Sequence, residues 1–148
     1  MIVPRCRRDA ADDARRHVHS PGESEVTLDQ VFDELGLSTP TMIGWWDPSC
    51  PVRATHASAR ATLFDGGGGK LAIAIAGWDT DDAIDTGLEF DWAALAKVGL
   101  RSTPESAQLI AKPIKGFQPR GSWAARGASL AIQRKGSGFN EGWLLELR

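Results

Sequence analysis

Residues 53–78 read RATHASARATLFDGGGGKLAIAIAGW, and the way this stretch folds decides the class of the whole chain. Two extended runs, Arg53–Phe64 and Lys70–Trp78, flank Asp65 and the four glycines Gly66–Gly69. Glycine adopts the positive φ values a tight reversal requires, so two such runs around a glycine turn predict an antiparallel hairpin. Side chains alternate along a strand. The second run therefore places Leu71, Ile73 and Ile75 on one face and Ala72, Ala74, Ala76 and Trp78 on the other. A phosphate-binding reading of Gly66–Lys70 fails on spacing. It needs a glycine where Phe64 stands and a hydroxyl residue where Leu71 stands.

Toward the C-terminus, Ala83–Asp91 alternates Ile84, Thr86, Leu88 and Phe90 with Asp85, Gly87, Glu89 and Asp91, the pattern of a half-buried antiparallel strand. Trp92–Lys97 reads as a short helix capped by Asp91, and further strands are expected at Ser106–Lys112, Ser129–Arg134 and Gly142–Arg148. Toward the N-terminus, Thr41–Asp47 alternates until Pro48 and Pro51 stop it. Its parity groups Trp46 with Met42 and opposes them to Ile43, Trp45 and Asp47. That grouping predicts an inward Trp46, as the parity of Leu145 and Leu147 predicts an inward Trp143. Ahead of this strand, Thr27 and Gln30 fit a capping box. Leu28, Val31, Phe32 and Leu35 then form one apolar stripe, and Gly36 suits a helix C-terminus. The expected fold is mostly β, an antiparallel β-sandwich over residues 27–148 preceded by one short amphipathic helix at 28–35. Residues 1–26 hold little that could anchor a core and read as a flexible tail.

The 148 residues suffice for one domain and are too few for a TIM barrel of about 250 residues. Seventeen basic against nineteen acidic residues give a net charge of −2, which provides no field for gripping a polyanion, so no nucleic-acid partner is expected. No segment approaches the roughly 18 apolar residues of a membrane span. The opening MIVPRCRRDAADDARR lacks the apolar core of a secretory signal, which makes a cytoplasmic location the default expectation. Cys6 and Cys50 permit at most one bridge and read as free thiols.

Candidates for chemistry are sparse. Asp79, Asp81, Asp82 and Asp85 form the densest acidic cluster, but Ile84 and Phe90 hold the places where a calcium loop opening at Asp79 would need Gly and Glu. His17, His19 and His56 lack a nearby third ligand, so no metal and no cofactor is expected. No nucleophile elbow is present. Six tryptophans and no tyrosine are the oddest feature of the composition, since flat indole faces serve both as core and as stacking surfaces for sugar rings. Trp45 and Trp78, with Asp47 beside the first, are the candidates for an exposed carbohydrate-binding surface.

From Met42 onward the chain resembles the C-terminal region of large bacterial glycoside-hydrolase-domain proteins, in which a TIM barrel precedes an all-β domain. The residues that carry the resemblance begin with Met42-Ile43-Gly44-Trp45-Trp46-Asp47-Pro48, Cys50-Pro51-Val52 and Lys70–Trp78. They continue with Phe90-Asp91-Trp92-Ala93-Ala94-Leu95, Ile114-Lys115-Gly116-Phe117-Gln118-Pro119 and Gly142-Trp143-Leu144-Leu145. The resemblance implies an accessory domain whose parent enzyme keeps its catalytic carboxylates elsewhere, and it makes Leu28–Leu35 similar to the last helix of a barrel. The first expectation is thus a non-catalytic β-sandwich accessory domain with a structural or assembly role. A carbohydrate-binding module using exposed Trp faces, and a small hydrolase using the Asp79–Asp85 cluster, are the alternatives. A helix stripe that normally docks elsewhere further predicts a homodimer with this helix and Trp45 near the contact.

Overall fold

The computed structural model describes residues 26–137 and 141–148. In chain order its elements are α1 (Leu28–Leu35), β1 (Thr41–Ile43), β2 (Val52–Ala54), β3 (Ala59–Asp65), β4 (Leu71–Gly77), β5 (Ile84–Phe90), α2 (Trp92–Lys97), β6 (Gln108–Ala111), β7 (Gly121–Ala124), β8 (Ser129–Ile132) and β9 (Gly142–Leu147). The glycine-turn stretch does form a hairpin. Asp65 pairs with Leu71 and Ala59 with Gly77, and Gly67, Gly68 and Gly69 make the reversal at φ values of 83°, 63° and 82°.

Two antiparallel sheets result, one of six strands in the order β1-β3-β4-β9-β6-β7 and one of three in the order β2-β5-β8. Between them lies the main core, where Leu63, Leu71, Ile73, Ile75, Trp143, Leu145 and Leu147 of the larger sheet meet Val52, Leu88, Leu130 and Ile132 of the smaller. The other face of the large sheet is partly covered too. Ala72 and Leu144 pack with Val31, Leu35, Leu37 and Ile114 beneath α1. Because β4 lies between β3 and β9 and is covered on both faces at this end, Ala72 is as fully buried as Ile73.

α1 is built as its sequence requires. The Thr27 backbone N–H donates to Gln30 Oε1 at 2.9 Å and the Gln30 N–H donates to Thr27 Oγ1 at 3.2 Å, completing the capping box. Gly36 ends the helix at φ 68°. It also lies against the hairpin turn so closely that a Cβ there would come within 2.6 Å of the Gly66 carbonyl oxygen. A Lys112–Glu34 ion pair joins the helix to the residue after β6.

Beyond Ala111 the ladder on this side of β9 is continued by a side chain. Gln118 Nε2 donates to the carbonyls of Lys112 (2.8 Å) and Leu144 (2.9 Å), while its Oε1 accepts the Leu144 N–H at 2.8 Å. The carboxamide thus does what a peptide group of a neighbouring strand would do, and Gln118 is 5% exposed.

Several expectations need correction. The run 53–64 is two strands in different sheets, parted by a turn in which the Ala59 N–H donates to the His56 carbonyl. β1 ends at Ile43, and the chain then turns through Asp47 N–H to Gly44 O at 2.9 Å. Strand parity therefore stops applying, and Trp46 is not inward but 61% exposed, as Met42 is 51% exposed. The Trp46 ring lies over Gly44, where a Cβ would meet it at 2.5 Å, so a glycine beneath the indole rather than a core receives it. Trp46→Ala is accordingly expected to cost less than about 1 kcal/mol in urea unfolding at concentrations where the chain is monomeric, the range of surface substitutions. A loss of 3 kcal/mol or more would show that the ring is buried after all. Trp143 is inward, 6% exposed. β7 carries no sequence signal, since Gly-Ser-Trp-Ala is too short to show alternation. Cys6, His17, His19 and the tail expected over 1–26 lie outside the described residues, apart from Val26, whose N–H donates to the Pro113 carbonyl.

Candidate functional site

α1 covers only one end of the outer face of the six-stranded sheet. The uncovered remainder is a groove of about 1260 Å³ running along β4 and β9 toward the loop that follows Trp78. Part of its floor is made of small residues, Thr62, Ala74, Ala76 and Gly142, while Phe64 and Leu144 of the same sheet face line it beside the α1 cluster. Leu28 and Phe32 of α1 wall one end and Phe117 one side. Only half of the helix stripe is therefore used for packing: Val31 and Leu35 are buried, while Leu28 and Phe32 are 44% and 36% exposed.

The other wall is a tryptophan cluster. Trp45 is held over β3 by its N–H, which donates to Thr62 Oγ1 at 3.3 Å. Its ring centroid lies 5.3 Å from that of Trp78, at 52° between planes, and 5.8 Å from that of Trp46, edge to face at 87°. Arg60 Cζ sits 5.0 Å from the Trp45 ring centroid. Two hydrogen bonds from Arg60 Nη1, to the carbonyls of Ala57 (2.6 Å) and Ala59 (2.9 Å), fix the guanidinium in this cation–π contact. The structure thus brings Trp45 and Trp78 together although they are distant in sequence, and it occupies one face of Trp45 with Arg60.

A family model described as glycoside hydrolase 123, C-terminal domain, matches residues 24–148. The chain belongs to this family. No curated protein and no solved structure matches it.

In this glycoside hydrolase 123 C-terminal domain, Asp47 does not join the two tryptophans at the groove. Its Oδ1 accepts the Ser49 N–H at 2.8 Å and the Ser49 hydroxyl at 2.7 Å, and these bonds hold its carboxyl below the usual carboxylate range. A lowered folded-state pKa adds stability above the unfolded value that is lost as pH falls through the folded one. Asp47 is thus a turn-forming residue of the family member's loop, able to weaken that loop only in acid. Asp79, Asp81 and Asp82 line the loop end of the groove, whereas Asp85 sits on β5 outside it. All four are exposed. Among the described residues no three His, Cys, Asp or Glu side chains come together as a metal site, and no helix is long and apolar enough to cross a membrane. His56 is used locally, its Nδ1 accepting the Ser58 N–H at 3.0 Å. The residues that sequence reasoning missed at the groove are Arg60, Thr62 and Phe117. Only the amphipathic stripe of α1, which carries Leu28 and Phe32, gave a signal.

Proposed function

We propose that this chain is a non-catalytic accessory domain of a glycoside hydrolase, with a structural role exercised by packing the outer face of its six-stranded sheet against another protein surface. One observation carries this reading: the large apolar side chains exposed among the described residues collect on one side of the molecule. Leu28, Phe32, Trp45, Trp78 and Phe117 line the groove. Met42 pairs with Phe64, which packs against the α1 cluster, so Met42 shares that face, and Trp46 packs on Trp45. A contiguous apolar patch on one face marks an interaction site, whereas scattered single residues do not.

A carbohydrate-binding reading is favoured by Trp78, 47% exposed at the groove beside Asp79, Asp81 and Asp82, where an indole and hydroxyl-binding carboxylates adjoin. Trp45 supports it less, because Arg60 stacks on one face and Trp46 and Trp78 crowd its ring. Hydrolysis through the Asp79–Asp85 cluster is the least supported. All four carboxylates are exposed, and Asp85 lies on β5 outside the groove that the other three line.

Two measurements test the reading together. Chromogenic glycosides are expected to show no turnover, and electrophoresis through gels containing soluble polysaccharides is expected to show no retardation. Turnover that disappears in Asp81→Asn would replace the accessory role by an enzymatic one. Retardation that disappears in Trp78→Ala would make the groove a glycan site.

A further inference from the structure

We infer that the groove face is closed by a second copy of this chain, in a two-fold dimer whose axis runs along the groove between it and the ridge formed by Met42 and Trp46. This rests on the reading of that face as a packing surface and names its partner.

The area fits. An aromatic side chain offers roughly 150–250 Å², so the exposed fractions of Leu28, Phe32, Met42, Trp45, Trp46, Trp78 and Phe117 sum to an apolar surface on the order of 600 Å². One side of a standard interface buries about 800 Å², a little over half of it apolar in ordinary complexes and about 65% in homodimers. The face therefore supplies the apolar share of one side of such a contact without needing a larger partner.

The shape fits as well. Trp46 and Met42 are the two most exposed of the seven and do not line the groove, whereas Trp45, on which Trp46 packs, forms its wall. Ridge and groove thus lie side by side on one face. A two-fold axis between them lays each ridge into the other copy's groove, the condition for a self-complementary contact that closes at two chains. The part of the floor made of Thr62, Ala74, Ala76 and Gly142 leaves room for an indole, which large side chains there would not.

The experiment is light scattering on the full chain at micromolar concentrations, with Phe32→Asp and Trp46→Asp as variants. The wild type is expected at twice 15.9 kDa and both variants at 15.9 kDa, with unchanged thermal unfolding curves at concentrations where all are monomeric. Both substituted side chains are exposed, so the fold should survive. If one variant fails to fold, Met42→Asp replaces it. A wild-type mass of 15.9 kDa throughout would overturn the dimer while leaving the accessory reading to its own assays, and a dimer that persists in the folded variants would overturn this face.

Discussion

Replacing Gln118 by leucine is expected to destabilise the domain by about 3 kcal/mol or more, since each buried polar group left without a partner costs roughly 1–3 kcal/mol. Three such groups depend on this carboxamide: the N–H and carbonyl of Leu144 and the carbonyl of Lys112. Leucine matches the volume but offers neither donor nor acceptor, and no strand stands in reserve to take over. Leu144 itself belongs to the small core beneath α1, so freeing its backbone also loosens the seat of that helix. Urea unfolding with an unchanged m value and a midpoint lowered to match is the measurement. A loss below 1 kcal/mol would mean that water replaces the side chain at β9 and that the ladder does not need it.

Trp143→Ala is expected to cost about 3–5 kcal/mol, the range for removing a large aromatic from a packed core. Trp143 belongs to the large sheet, yet its Nε1–H donates at 2.8 Å to the carbonyl of Ala131 in β8 of the small one. Its ring also meets Trp123 edge to face at 5.1 Å. One side chain therefore fills the space between the sheets and ties them by a hydrogen bond. Trp143→Phe separates these contributions by keeping most of the packing and losing the bond, and it should fall between wild type and alanine. Equal losses in the two variants would assign the whole effect to the hydrogen bond. Trp46 differs for a local reason: strand parity predicts both indoles inward, but only Trp143 lies in a strand, and Trp46 lies beyond the end of β1.

What the sequence determined by itself are the features whose causes lie within a few residues. The capping box of Thr27 and Gln30, the left-handed Gly36, the glycine reversal between β3 and β4, the alternation of β5 and the Asp91 cap of α2 are local in this sense. In the last of these the Ala94 N–H donates to Asp91 Oδ1 at 3.1 Å. Together they suffice to specify a mostly antiparallel β fold with a leading helix, whereas the exposure of Trp45 and Trp78, which lie just beyond the ends of β1 and β4, is not set by strand alternation. Tertiary structure decided the rest. Whether Val52–Ala54 continues into β3 or joins the other sheet depends on pairing with β5, which no periodicity in residues 53–64 encodes. The role of Gln118 depends on Leu144, 26 positions away, and on β6 ending where it does. The groove exists because α1 covers one end of a sheet face and leaves the other open, so the same apolar stripe contributes Val31 and Leu35 to a core and Leu28 and Phe32 to a surface. A hydrophobic pattern states which side chains avoid water, and only the packing of distant elements determines how many of them succeed.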